Sequence, residues 1–294
     1  MTETAKQALQ LWVEEHHQDN LQLRYRTLRT LFSGESDFQQ IDLVETSGFG
    51  KMLFNDSIAM VSERDEFVYH DMIAHVPMYL RPAKSALVIG GGDGGTVREL
   101  LRHPSIESVK LVEIDPLVVE ACREHLPLTS AALSDDRVEV LIADGVTFVA
   151  ETKERFDLVI VDSTDPIGPA TPLFGSEFYG NVKRVLNDNG LVVSQAESPF
   201  YEEERQRSLV SILGGEFKEV YLYNYTNLTY PGGLWSFSLA SAGECCPLAD
   251  FDAERFQRDA LEFGYYSEAI HRASFVLPAF QQRNLDGLLT PFRG

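Results

Sequence analysis

Apolar positions along this chain change period several times, and each change marks a different kind of element. Across residues 5–31, Leu9, Val13, Leu21 and Leu28 fall near helical spacing, which predicts a helical N-terminal stretch. From 38 to 64 the run "FQQIDLVETSGFGKMLFNDSIAMVSER" carries short, partly alternating apolar stretches. It breaks at Ser47-Gly48 and at Asn55-Asp56-Ser57, so a small antiparallel sheet with turns at those points is expected. "DEFVYHDMIAHVPMYL" then reads as a helix entering the next domain.

From Ala86 a rhythm of strand, turn and helix repeats. "SALVIGG", "SVKLVEID", "VEVLIADG", "FDLVIVDSTDP" and "NGLVVSQ" are apolar strands. Between them "TVRELLRH", "PLVVEACREHL", "VTFVAET" and "FYGNVKRVL" read as helices, the second opened by Pro116 at a first-turn position. Apolar strands alternating with helices predict a parallel sheet covered on both faces. "FKEVYLYNY" and "LWSFSLAS", flanking "TNLTYPGG", predict an antiparallel pair closing the sheet edge. The expectation is an α/β fold divided at about residue 80. Residues 1–80 would hold the N-terminal helix, the small sheet and the entry helix, and 81–294 the larger domain.

The 294 residues, 44% hydrophobic, can build one large domain with an appendage or two domains. Nowhere do about 18 apolar residues run together, so no membrane-spanning helix is expected. The start "MTETAKQALQLWVEEHHQDN" is acidic where a signal peptide would be basic. Cys122, Cys245 and Cys246 show neither C-x-x-C spacing nor a disulfide framework, which fits a reducing compartment. A soluble, cytoplasmic protein is the reading. A formal net charge of −20 disfavours nucleic acid and membranes as partners and suits a cationic substrate. An acidic solvated surface accounts for most of that charge by itself.

Open parallel sheets bind ligands at the carboxyl ends of their strands. Here the first strand runs into "GGGDGG" with Asp93, and the second ends at Glu113 and Asp115. The third ends at Asp144-Gly145 and the fourth at Asp162 and Asp165. Gly90-x-Gly92-x-x-Gly95, with Glu113 about 20 residues on, matches a dinucleotide fingerprint and keeps an NAD-dependent oxidoreductase open. Charge favours another ligand. A pyrophosphate about 4 Å from Asp93 would be repelled by roughly 4 kcal/mol at an effective dielectric near 20, and a sulfonium or ammonium attracted by as much. An S-adenosyl compound fits better, with Glu113 accepting both ribose hydroxyls and Asp144 the adenine amino group. A methyltransferase of the same nucleoside fold stays open, although Asp93 would repel the carboxylate of its donor.

Taken together, "GGGDGG", "VEID", "ADG", "DSTDPIGPATPLF" and the upstream "ERDEFVYHDM" resemble the polyamine aminopropyltransferases, the spermidine synthase family, from about Phe38 to "HRASFVLP". The resemblance implies an N-terminal β-sheet domain and a Rossmann-like domain of class I methyltransferase type, assembled as a homodimer or homotetramer. It implies transfer of the aminopropyl group of decarboxylated S-adenosylmethionine to putrescine, giving spermidine and methylthioadenosine. No cofactor or metal is implied beyond that co-substrate. Gln39, Glu113, Asp144, Gly145 and Pro169 would contact the nucleoside, alongside the loop glycines Gly90 and Gly92. His70 and Asp93 would meet the amine chains. Asp162 would accept the proton with Tyr69 assisting, Asp165 would hold the far end of the diamine, and Gln195 and Tyr230 would line the amine tunnel. His75 and His271 read as structural.

The acceptor side departs from the family pattern. Ser57 stands for a usual glycine, Met60 for a usual glutamine, and "NLTY" at 227–230 for isoleucine-proline-threonine-tyrosine. Agmatine, another diamine or spermidine are therefore alternative acceptors.

Overall fold

The computed structural model describes residues 9–17, 21–163, 173 and 175–293. It divides into two compact units, Met1–Arg64 and Asp65–Gly294. The division falls after Arg64 rather than near residue 80, because the entry helix belongs to the second unit.

The first unit is a five-stranded sheet of β1 (Leu11–His17), β2 (Leu21–Glu35), β3 (Gln40–Thr46), β4 (Gly50–Asn55) and β5 (Ile58–Ser62) in that order. Neighbouring strands are all antiparallel. The sheet expected over 38–64 is present, but the helix expected over 5–31 is not: its described part forms β1 and β2. Leu9 and Leu28, two of the positions that suggested a helix, are 89% and 55% exposed. The competing signal is the alternation Leu21, Leu23, Tyr25, Thr27, and it prevails because β2 pairs with β1 on one side and β3 on the other. Tyr25, Val44, Met52, Phe54 and Ala59 form the core of this unit.

The second unit opens with α1 (Glu66–Leu80), in which every residue except Phe67 is buried. There follow β6 (Ser85–Gly90), α2 (Gly95–Leu101), β7 (Ser108–Glu113), α3 (Pro116–His125), α4 (Pro127–Ser130), β8 (Val138–Ile142), α5 (Gly145–Glu151) and β9 (Phe156–Asp162). The chain continues with α6 (Ser176–Val185), β10 (Leu186–Gln195), α7 (Glu203–Glu216), β11 (Glu219–Thr226) and β12 (Leu234–Ser241). It ends in α8 (Ala253–Asp259), α9 (Glu268–Ser274) and α10 (Ala279–Asn284). The predicted strands and helices from Ala86 onward are all found, while α7 to α10 lie where the pattern makes no prediction.

The sheet order is β11-β12-β10-β9-β6-β7-β8. β8, β7, β6, β9 and β10 are parallel, and β12 and β11 close one edge antiparallel, as expected. Alternate strand residues feed two cores. Val88, Leu111, Ile160 and Phe237 join α1 and α2 on one face. Leu87, Val112, Val159 and Leu222 join α6 and α7 on the other. Cys122, Cys245 and Cys246 are free and buried. Among the described residues no helix is long and apolar enough to cross a membrane.

Candidate active site

After β6 the chain runs outward to β7 and β8, then crosses back to β9 on the other side of β6. That reversal opens a crevice at the carboxyl ends of β6 and β9, where such sheets bind ligands. Gly90 and Asp162 face each other there as the last pair of the two strands. Gly91 has φ +67, and a Cβ on it would lie 2.7 Å from Asp162 Oδ2, so the loop can lie against this carboxylate only as glycine. Tyr69 on α1 donates its hydroxyl to Asp162 Oδ1 at 2.7 Å, and Thr96 on α2 donates to Oδ2 at 2.6 Å. Two helices thus fix the orientation of a single side chain at the strand end.

The buried Asp93 in this loop accepts the Gly95 N–H at 2.9 Å, and His70 Nε2 lies 3.5 Å from the same oxygen. On its other side His70 Nδ1 is 2.5 Å from Glu66, which also takes both terminal nitrogens of Arg98 at 2.9 and 2.8 Å. Arg98, Glu66, His70 and Asp93 therefore alternate in charge. Burial opposes a charged imidazole, but Asp93 and Glu66 overcome it and lift His70 to about 9. Burial would likewise raise Glu66, yet His70 and Arg98 pull it down to about 2. For Asp93 burial prevails over His70, and with Asp162 nearby the carboxyl rises to about 6. The ring of His70 occupies the space a side chain at Gly95 would need, its Cε1 only 2.1 Å from an added Cβ.

Glu113 ends β7, buried, with Oε1 accepting the Asp115 N–H at 2.9 Å. Burial raises it to about 7 against the pull of that bond. Asp115 caps α3 through the Leu117 N–H. Asp144 caps α5, accepting from Val146 N at 2.9 Å and from Thr147 Oγ1 at 2.8 Å, and is exposed. Gly145 follows, with Ile89 Cγ2 2.4 Å from where a Cβ would stand. Gly92 lies in the loop with Glu113 and Val118 against it. Gln39 lies just before β3 in the first unit, partly buried. Asp165 and Pro169 fall outside the described residues.

Around Tyr69 the rings of Phe237, Tyr225 and Tyr230 stand at 4.9, 5.8 and 5.9 Å, each edge-on. Tyr230 belongs to the connection between β11 and β12, and Gln195 closes β10, 6% exposed. Asp65 anchors that connection by accepting the N–H groups of Leu228 and Thr229 at 2.7 and 2.9 Å. The Leu228 side chain itself is 61% exposed. A partly buried carboxylate at a strand end, held by a phenol and beside a cluster of aromatic rings, suits recognition of an amine.

Residues 66–251 match the family described as spermine/spermidine synthase domain, and residues 11–63 the spermidine synthase tetramerisation domain. The chain belongs to the spermine/spermidine synthase family. The polyamine aminopropyltransferase of Clostridium beijerinckii is 41% identical over 95% of this chain and 99% of its own. That of Methanocaldococcus jannaschii is 42% identical over 90% and 92%. Among solved structures, a spermidine synthase in complex with the transition state analogue AdoDATO is 41% identical, with a TM-score of 0.91 over 94% of each chain. The spermidine synthase from Thermotoga maritima is 40% identical, with a TM-score of 0.89 over 95% of each. The protein is thus a transferase of polyamine biosynthesis with the Rossmann-like methyltransferase-type fold, and the oxidoreductase and methyltransferase readings are set aside.

Within this aminopropyltransferase several residues escaped the sequence reading. Thr96 looks like an ordinary first-turn threonine until Asp162 is seen beside it. Glu66 and His70 at i and i+4 carry a legible signal, but Arg98 comes from another helix. Asp71, His75 and Glu99 bring one potential ligand atom each within 4.8 Å of one another, a cluster the spacing does not suggest. Their atoms serve an internal network. His75 faces Glu99 at 3.0 Å and His103 at 2.8 Å, Glu99 takes Arg98 and Arg102, and Asp71 accepts the N–H groups of Tyr265 and Tyr266. His271 lies between the Tyr266 hydroxyl at 2.7 Å and the Pro247 carbonyl at 3.0 Å.

Proposed function

We propose that this aminopropyltransferase uses decarboxylated S-adenosylmethionine as donor and putrescine as acceptor, releasing spermidine and methylthioadenosine. The observation that carries this reading is Asp162, aligned by Tyr69 and Thr96 beside the buried Asp93 at the reversal of strand order. In the step itself the neutral amine nitrogen attacks the carbon bonded to the positive sulfur. The carbon–sulfur bond breaks and its electron pair returns to sulfur, Asp162 having first taken the ammonium proton that nitrogen carried before attack. An alkylamine with a pKa of about 10.4 is almost wholly protonated at neutral pH, so the enzyme must both align the reactants and remove that proton. The sulfonium activates its own leaving group, so the displacement needs no Lewis acid.

Glu113 and Asp144 hold the ribose and the adenine, with Gly90, Gly92 and Gly145 along the nucleoside. Asp93 faces the cationic side of the donor. His70, flanked by carboxylates at both ring nitrogens, acts on the amine through Asp93. Asp165, Gln195 and Tyr230 receive the diamine. The tetramerisation-domain match supports a homodimer or homotetramer, and the apolar-run and cysteine pattern supports a cytoplasmic location.

Mass spectrometry of products formed from the donor and a panel of amines tests the acceptor. Spermidine from putrescine is expected, and a preference for agmatine or spermidine as acceptor would replace putrescine in the reading. Asp162→Asn should lower kcat by roughly 10²–10⁴-fold while leaving methylthioadenosine affinity nearly unchanged. Near-normal turnover in that variant would remove Asp162 from the proton-accepting role.

A further inference from the structure

Three tyrosines of β11, Tyr221, Tyr223 and Tyr225, project from the same face of the sheet into one core. Tyr221 gives its hydroxyl to the Cys245 carbonyl at 2.7 Å, and Tyr223 gives its own to the Met72 carbonyl at 3.1 Å. Tyr225, the last of the row, is 1% exposed, and its hydroxyl has no hydrogen-bond partner among the described residues. β11 runs parallel to β10, because both pair antiparallel with β12. Moving along the row therefore leads toward the rim that carries Gln195 and Asp162. The Tyr225 ring is stacked on Phe237 at 4.6 Å and meets Tyr69 edge-on at 5.8 Å. Burial, with Tyr230, Asp162 and Glu197 all near enough to add to it, holds the phenol neutral. A buried hydroxyl without a partner costs about 1–3 kcal/mol, and a fold that satisfies two tyrosines of a row has a use for the third.

On the reading that the crevice takes a polyamine, we infer that Tyr225 is an acceptor-binding residue whose hydroxyl accepts a hydrogen bond from an ammonium group of the diamine. Three observations support this: the hydroxyl is buried with no hydrogen-bond partner among the described residues, its ring is fixed by Phe237 and Tyr69, and it shares its surroundings with the carboxylate that Tyr69 aligns. The phenol brings an acceptor lone pair and no charge. It therefore adds direction to a site whose carboxylates supply the attraction.

Steady-state kinetics and thermal unfolding of Tyr225→Phe, with Tyr223→Phe beside it, test the inference. Loss of a hydrogen bond to a charged group should raise the KM for putrescine about ten- to a hundredfold, with the donor KM unchanged. Because the lost hydroxyl bonds to none of the described residues, Tm should hold or rise. Tyr223→Phe should do the reverse, lowering Tm through its missing Met72 bond while leaving the putrescine KM alone. A putrescine KM within about twofold of the parent in Tyr225→Phe would overturn the inference, as would a fall in Tm with both KM values rising together. A parent enzyme that transfers nothing to any amine would instead remove the donor and acceptor assignment on which the inference stands.

Discussion

On the proposed ribose contact, burial and ligand pull Glu113 in opposite directions. Desolvation lifts its carboxyl to about 7, although the Asp115 N–H works against the rise. To receive two ribose hydroxyls it must be ionised. Methylthioadenosine should accordingly bind more weakly as pH falls through about 7, with proton release on binding, and calorimetry across that window checks it. An affinity flat through the window would take the ribose away from Glu113. This residue was legible because a strand end and a glycine loop about 20 residues earlier both point to it. Thr96 was not, since a hydroxyl after a glycine run looks like any helix start, and its partner lies on a strand 66 residues away. The aromatic ring around Tyr69 was hidden for the same reason: Tyr225, Tyr230 and Phe237 reach it only through sheet pairing.

Helix α1 shows what one element does when almost nothing on it faces water. Its apolar residues bind it into the core, and its buried carboxylates are paired: Glu66 with Arg98 and His70, Asp71 with the backbone at 265 and 266. Leaving Arg98 and His70 without Glu66 should cost about 3–5 kcal/mol in Glu66→Gln. The pH dependence follows from the shifts. His70 is raised from 6.5 to about 9, so its contribution is full below 6.5 and lost as pH rises through about 9. Glu66 is lowered from 4.5 to about 2, so its contribution is present above 4.5 and lost as pH falls through about 2. Denaturant unfolding should show the alkaline loss in the parent and a shallower one in Glu66→Gln. The turn between β4 and β5 places Asp56 at φ 48 and Ser57 at φ 66, a conformation glycine adopts freely. Ser57→Gly should stabilise that hairpin by about 0.5–1 kcal/mol, measured by the same unfolding. The strands β1 and β2 were misread because leucine, arginine and glutamine favour helix locally, whereas the pairing that decides the matter is supplied by β3.

At the scale of the whole molecule, the α/β alternation was readable from β6 to β10 because most strands there hold an apolar run bounded by a turn, whereas α7 to α10 carry no comparable pattern. The order of those strands was not, since the crossing back from β8 to β9 leaves no mark in the pattern. The charge of −20 should draw a diamine toward the rim. Raising salt should then lower kcat/KM for putrescine while sparing kcat, as screening at 0.1 M acts over about 10 Å. A kcat/KM indifferent to salt would mean that the long-range field contributes nothing. The sulfur atoms lead to a more practical result. Burial, helped by Asp93 and Glu113, keeps the Cys122 thiol far above its ordinary range, burial pushes Cys245 to about 12, and Cys246 is 5% exposed. Alkylating reagents should find no ready target on the folded chain. A single cysteine engineered onto its surface would carry a dye or crosslinker with no native thiol to remove first.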